Sequence, residues 1–150
     1  MIQESQWREV MASGRTNRGL VQRYFNESAG FRHMGLEVDL SGERGPQMEI
    51  ARLQDFHRGG TTIQSVNGAV IAYVCDAAMG MAAIFHTDLT KGSGVGRLAI
   101  RMSKPVEGTS LKCRSWVERA ARNLVYAVCE IMNESDEICV RATGTVYVNR

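Results

Sequence analysis

The sequence predicts an α+β domain in which a single antiparallel sheet wraps around one central, buried helix. Three observations predict this fold: an alternating hairpin pattern between residues 36 and 53, a long apolar segment over residues 69–85, and a run of β-forming residues that ends in clean alternation over residues 138–148. The order along the chain is hairpin, helix and then strands. With 150 residues, the chain is long enough to bury one substantial core.

The first 30 residues are predicted to form a helical extension that precedes the main domain, which spans residues 31–150. The stretch "SQWREVMASG" has apolar residues at helical spacing and ends at Gly14, and "NRGLVQRYF" indicates a second short helix. Neither segment is rich in residues that carry chemistry. The functional residues are therefore sought in the main domain.

The hairpin is predicted because apolar residues recur at every second position in two neighbouring segments. Leu36, Val38 and Leu40 alternate with polar residues, and Met48 and Ile50 follow a polar turn, "SGERGP". The next stretch, "DFHRGGTTIQS", contains paired glycines that interrupt both helix and strand, so it is predicted to be a loop.

The central helix is predicted to begin after Asn67, a residue type that caps helices well. Val70, Ile71 and Val74 recur at helical spacing in a segment that is apolar on nearly all sides, which is typical of a buried helix. Asp76 is the only Asp, Glu, Lys or Arg between residues 59 and 87. Burial of an unpaired carboxylate is costly unless a partner compensates it or it binds a proton. Asp76 therefore has either a hidden partner or a function.

The region after the helix is predicted to be mostly strand. A Gly/Ser-rich stretch, "TKGSGVGR", is predicted to be a loop, and "LAIRMSKPV" a strand that stops at Pro105. Three further segments are rich in β-forming residues: "SLKCRSWVERA", "NLVYAVCEIMN" and "DEICVRATGTVYV".

Composition narrows the functional classes. The net charge of +2 argues neither for nor against a nucleic-acid partner, but the basic residues are scattered among acids and form no long run, so no such partner is expected. Four widely spaced cysteines with no Cys/His cluster predict reduced thiols, a cytoplasmic setting and no metal site. The apolar run over residues 69–85 is short for a membrane span and carries Asp76 at its centre, so a membrane role is not expected.

The order of elements and the residues on the helix resemble the hotdog fold, specifically the small acyl-CoA thioesterases of the phenylacetate-degradation (PaaI-like) type. Members of that family carry His-Gly-Gly at the start of the central helix and an acid nine positions after the His. Here the same places hold Asn67-Gly68-Ala69 and Asp76. Lys104-Pro105-Val106 and Ala121-Arg122 match two further landmarks of the family.

The resemblance implies hydrolysis of an acyl-CoA or aryl-CoA thioester without a cofactor. Asp76 would activate water or attack the carbonyl, and the backbone N–H of Gly68, at the positive end of the helix, would bind the oxyanion. Asn67 and Asp76 lie about 13 Å apart along one helix at 1.5 Å per residue, too far to serve one carbonyl. Family members dimerise so that each carboxylate faces the other subunit's helix start. The resemblance thus predicts a homodimer or a dimer of dimers and an inactive monomer.

Some residues depart from the family pattern. Asn67 either orients the substrate or is a plain helix cap, and unlike His it cannot take up a proton. Where some members place a polar loop residue and a strand hydroxyl, this chain has Thr61 and Val95; Ser93 is a loose substitute for the missing hydroxyl. The remaining candidates for substrate binding are Gln64 and Ser65 in the loop, Met79 in a pocket with Met81, Phe56 and Phe85, and Arg122 for the coenzyme A phosphates. For Arg122 a solvated surface charge is the alternative.

The alternative function is non-catalytic binding of acyl-CoA or an acyl carrier by a hotdog protein, which Asn67 and the missing strand hydroxyl favour. A hotdog dehydratase is a third reading, but no "H-x-P-x-x-P-G" segment occurs. The identity of the acyl group is not predicted.

Overall fold

A computed structural model describes residues 4–13, 18–89 and 91–148. Three short helices come first, and a hairpin, a long helix and four long strands follow: α1 (Glu4–Ser13), α2 (Arg18–Asn26), α3 (Ala29–Met34), β1 (Leu36–Asp39), β2 (Gln47–Ile50), α4 (Gly68–His86), β3 (Ser93–Met102), β4 (Leu111–Ala120), β5 (Leu124–Asn133) and β6 (Ile138–Val148). A 3-10 turn at Asp55–His57 lies in the predicted loop before α4.

The strands form one six-stranded sheet in the order β1-β2-β4-β5-β6-β3, with every neighbouring pair antiparallel. Alternate residues of the strands face α4 and are buried, as Cys113, Cys129 and Ala142 are. This sheet, wrapped around one long helix, is the predicted hotdog fold, which is confirmed. All four cysteines are free thiols, as predicted, and all four are buried.

Two serines hold α4 against the sheet. The buried Ser115 hydroxyl of β4 donates to the Ala78 carbonyl at 2.7 Å, and the Ser93 hydroxyl of β3 donates to the Gly80 carbonyl at 2.9 Å. These bonds fix the position of the middle of α4 relative to β3 and β4.

By length and composition alone, α4 could cross a membrane. Its most apolar window has a mean hydropathy of 1.8, and 56% of that window is buried inside the fold. The core helix of a globular domain has the same properties, because it is surrounded by side chains of its own sheet.

The N-terminal helices cover the outer edge of β1. The Asn26 side chain accepts from the Val38 N–H at 2.8 Å and donates to the Val38 carbonyl at 3.0 Å, and the Gln22 side chain accepts from the Leu40 N–H at 2.8 Å. These side chains satisfy backbone groups that a neighbouring strand would otherwise bond. Both predicted N-terminal helices are present, as α1 and α2. Gly14, at which the first helix was predicted to end, lies outside the described residues.

Helix α3 was not predicted, and it crosses the boundary placed after residue 30. Its last turn ends at Gly35 in the left-handed conformation, with φ of 65°. The division into residues 1–30 and 31–150 stays a prediction.

The predicted Gly/Ser loop after α4 is in part wrong, since β3 already begins at Ser93. Gly94 pairs with Tyr147, and an irregularity between Val95 and Arg97 accommodates Gly96. A side chain on Gly96 would collide with the Tyr147 ring, so the glycine that suggested a loop permits close strand packing instead.

Candidate active site

The loop that leads into α4 is anchored on the segment after β3. The Val66 N–H donates to the Val106 carbonyl at 2.9 Å. The Arg58 guanidinium donates to the carbonyls of Gln64, at 2.6 Å, and Gly108, at 3.0 Å. The start of α4 is therefore held beside residues 106–108, beyond the last residue of β3.

Asn67 is the N-cap of α4. Its side-chain oxygen accepts from the Val70 N–H at 2.9 Å, and its amide nitrogen donates to the carbonyls of Phe56, at 3.0 Å, and Arg58, at 3.1 Å. Both amide hydrogens are thus used to join the loop to the helix. Of the two readings of Asn67, the cap is the one with observed contacts.

Gly68 is the first residue of α4 and is exposed. Within the described part of the chain no group accepts a hydrogen bond from its N–H, and a Cβ added to it would meet nothing within 4 Å. A helix N–H that faces open space is a donor ready to bind a negative oxygen.

Asp76 lies just over two turns further along α4, on the side that the sheet does not cover, and in the single chain it is exposed. None of the described residues forms an ion pair or a hydrogen bond with its carboxylate. The carboxyl faces solvent on one side, and partial burial on the others raises its pKa above the ordinary value. Tyr73, one turn earlier, is half-buried, and its own burial and then the charge of Asp76 raise its pKa.

A small cavity of about 150 Å³ opens beside Asp76. The beginning of β3 forms one wall with Ser93, Gly94 and Val95. The Ser93 hydroxyl is thus near Asp76, although it donates to the Gly80 carbonyl. The opposite wall comes from the N-terminal helices through Phe25 and Phe31, which sequence analysis did not connect with the site.

A second cavity, of about 230 Å³, lies at the start of α4. Thr61 and Ser65 line it together with residues 102–106, so the structure brings these two predicted residues together near the start of α4, although Gly68 itself is not part of the lining. The buried Ser65 hydroxyl donates to the Thr62 carbonyl at 3.0 Å. The predicted Gln64 side chain is exposed nearby.

Two other predicted residues lie away from these cavities. Met79 is fully buried between α4 and the sheet, where its sulfur packs against Gly144, and Met81 lines the Asp76 cavity in its place. Arg122 is exposed in the turn between β4 and β5, and none of the described residues pairs with it. In the described part of the chain no three His, Cys, Asp or Glu side chains are grouped as metal ligands would be.

A family model of the thioesterase superfamily matches residues 64–140, just over half of the chain. The chain therefore belongs to the thioesterase superfamily, and it has the hotdog fold. The matched segment begins in the loop before α4 and includes both Gly68 and Asp76.

Several solved structures share this fold. A Haemophilus influenzae thioesterase superposes with a TM-score of 0.76 at 14% identity, covering 88% of this chain and 90% of that one. The E. coli PaaI protein from the phenylacetic acid degradation operon gives 0.72 at 14% identity, covering 87% and 91%. A Bacillus halodurans protein solved with CoA gives 0.73 at 15% identity, covering 100% and 97%. No curated protein matches the sequence.

Proposed function

We propose that the protein hydrolyses acyl-CoA thioesters at a site shared by two subunits, in which Asp76 of one subunit and the Gly68 N–H of the other act on the same carbonyl. The observation that carries this proposal is the unpaired Asp76 carboxylate, whose pKa is raised by partial burial and which opens onto a cavity. A carboxyl with a raised pKa is suited to accept a proton near neutral pH.

The free edge of β3 supports the pairing of two subunits. β3 is ten residues long and lies at the end of the sheet, and no described strand pairs with its outer edge. An unpaired edge of that length is a ready template for a second strand. The matching strand of a second copy, related by a two-fold axis, would run antiparallel to it.

That pairing would bring Asp76 and Gly68 of different subunits together. Helix α4 runs antiparallel to β3, because Gly80 is bonded to Ser93 at the start of β3 while Val66, just before the helix, is bonded to Val106 beyond its end. In an antiparallel β3–β3 pair, the end of one strand lies beside the start of the other. The partner's helix start would then lie beside the Asp76 cavity, which the start of β3 lines.

The chemistry follows from these groups. Asp76 takes a proton from water, the hydroxide adds to the thioester carbon, and the oxyanion accepts a hydrogen bond from the Gly68 N–H of the other subunit. The C–S bond then breaks and the thiolate leaves, recovering the proton from Asp76. Direct attack by Asp76, through an anhydride that water then hydrolyses, uses the same geometry.

Arg122 remains our candidate for the coenzyme A phosphates. Its turn is bonded to the end of β6, since the Val148 N–H donates to the Asn123 carbonyl at 3.0 Å, and Val148 pairs with Ser93. Arg122 is thus at the same end of the sheet as the Asp76 cavity. A planar guanidinium with no partner among the described residues suits a phosphate.

Non-catalytic binding of an acyl-CoA or acyl carrier is the second candidate. Two observations favour it: Asn67 is occupied as a cap, and the strand hydroxyl near Asp76, that of Ser93, is bonded to Gly80.

A panel of acyl-CoA thioesters, assayed by release of free thiol, separates the two candidates. Hydrolysis by the natural protein that falls by two orders of magnitude or more in Asp76→Ala, at equal protein concentration, supports the enzyme. Activity that is the same in both proteins contradicts it.

A further inference from the structure

The cavity beside Asp76 has features of an acyl-binding pocket. We infer that it receives the acyl group of the substrate and that Phe25 and Phe31, from the N-terminal helices, limit this group to a short chain. This inference rests on the proposed function, because it assigns the parts of a thioester to the space around Asp76.

The chemistry of the cavity walls distinguishes the acyl group from the pantetheine arm. Apart from Asp76 itself, the only side-chain polar group in the lining is the Ser93 hydroxyl, and it already donates to the Gly80 carbonyl. The pantetheine arm carries two amides, and burying them without hydrogen-bond partners would be costly. An apolar acyl chain has no hydrogen bonds to lose when it is buried in this cavity. The acyl chain is therefore the part of the thioester that fits the cavity.

The volume of the cavity sets the length of that chain. A cavity of about 150 Å³ is the size that holds one benzene molecule, or about six carbon atoms. The cavity is open to solvent on the side of Asp76, so the acyl chain is limited where it meets the apolar wall; a methylene that does not fit there lowers kcat/KM by about tenfold or more. Acyl groups with up to about six carbons beyond the carbonyl are therefore expected to be the good substrates.

Phe25 and Phe31 form part of the apolar wall of the cavity. Their ring centroids are 5.9 Å apart, Phe31 is buried, and Phe25 is half-buried against the core. Both precede the segment that matches the family model, residues 64–140. The N-terminal helices thus supply a specificity element to a site whose reactive groups lie on α4.

The experiment is a kcat/KM series over straight-chain acyl-CoA substrates from acetyl to dodecanoyl, read by free-thiol release. The natural protein should favour chains of up to about six or seven carbons and lose at least about tenfold between that length and decanoyl. A profile that is flat, or that rises to dodecanoyl, overturns the inference.

Three variants test which residues determine the preferred length of the acyl chain. Phe25→Ala should move the optimum to chains about two to four carbons longer, because about six ring atoms leave the cavity wall. Tyr24→Ala is the matched control: it removes a neighbouring ring of α2, 5.3 Å from that of Phe25, that does not line the cavity. It should leave the profile unchanged. Ala77→Leu fills the cavity from α4 with a good helix former and should move the optimum to shorter chains, which keeps the test decisive if Phe25→Ala does not fold.

The outcomes separate the inference from the proposed function. Absence of thioester hydrolysis by the natural protein contradicts the proposed function. Hydrolysis with a chain-length profile that neither Phe25→Ala nor Ala77→Leu changes contradicts only the acyl-pocket inference.

Discussion

The carboxylates of Glu130 and Asp76 have opposite surroundings in the fold. Glu130 of β5 lies on the face away from α4 and is only 5% exposed, and its oxygens are bonded to Arg114 at 2.7 Å and Arg141 at 3.2 Å. Asp76 of α4 has no such partner among the described residues, although partial burial already raises its pKa.

The strand register explains how the negative charge of Glu130 is neutralised. Arg114 is directly opposite Glu130 in β4, and Arg141 is directly opposite it in β6. Cross-strand pairs of opposite charge stabilise a sheet, and a carboxylate kept for stability is given two of them. The chain can evidently neutralise a carboxylate when the fold requires it. Asp76 has no such partner among the described residues, which supports the catalytic role that we propose for it.

The largest expected effect is on catalysis and belongs to Asp76. Asp76→Asn should lower kcat for a good acyl-CoA substrate by about 10²–10⁴-fold, because the general base is removed while the shape is kept. The measurement is thiol release at matched concentrations of folded protein. Activity within threefold of that of the natural protein would contradict a catalytic role for Asp76.

The complementary change at Glu130 should affect stability instead. Glu130→Gln should lower the free energy of unfolding by about 1–3 kcal/mol, because two charged hydrogen bonds are lost while the arginines can still turn to water. Urea unfolding measures this, and kcat per folded molecule should be unchanged. If Glu130→Gln instead lowers kcat and keeps the free energy of unfolding, the contrast between a structural Glu130 and a catalytic Asp76 is contradicted.

Asn67 offers an intermediate test, since it is next to the proposed oxyanion donor yet its contacts are those of a cap. Asn67→Ala should cost about 1 kcal/mol of unfolding free energy, as the loss of an N-cap does. Asn67→Asp keeps the oxygen that accepts from Val70 but loses the amide that donates to the carbonyls of Phe56 and Arg58, so it should retain only part of that stability. If Asn67→Asp is as unstable as Asn67→Ala, the oxygen is not what stabilises the helix start.

The smallest effect is the pH dependence of stability. Because the folded-state pKa of Asp76 is raised above 3.8, the folded protein binds that proton more tightly than the unfolded chain does. The resulting stabilisation is fully present below about pH 3.8 and is lost as the pH rises through the folded-state pKa. Asp76→Asn should therefore gain thermal stability relative to the natural protein between about pH 4 and about pH 7, by a few degrees at most. A difference in melting temperature that does not change with pH contradicts the raised pKa.

Much of the fold could be predicted because its signals are local. The alternation in β1, β2 and β6, the cap at Asn67 and the apolar helix each lie within one segment of the chain. The start of β3 could not be predicted: Gly94 and Gly96 weaken a strand locally, and only pairing with β6 makes them part of one. Helix α3 is a single short segment, ending at Gly35, whose pattern is too brief to detect.

The candidate site was predictable in one respect and not in another. The spacing of Gly68 and Asp76 on one helix is a property of the sequence. That Phe25 and Phe31 reach the Asp76 cavity depends on how the N-terminal helices pack, which no local pattern specifies. The apolar spacing in α2 indicates a packed face, but not what it packs against.

The shared site can be tested by combining two inactive variants. Gly68→Pro removes the proposed oxyanion donor and should leave α4 intact, because proline is favoured at the first helical position and Asn67 already has the extended backbone, with φ of −73° and ψ of 155°, that must precede it. Gly68→Ala, which keeps the N–H, is its control.

The decisive measurement is the activity of a mixed dimer of Asp76→Asn and Gly68→Pro subunits, purified through two different affinity tags. Each variant alone should be inactive. The mixed dimer contains one site with an intact Asp76 and an intact Gly68 from different chains, so about half of the natural activity should return. A verified mixed dimer as inactive as its two parents, or a chain that forms no dimer at all, would contradict the account.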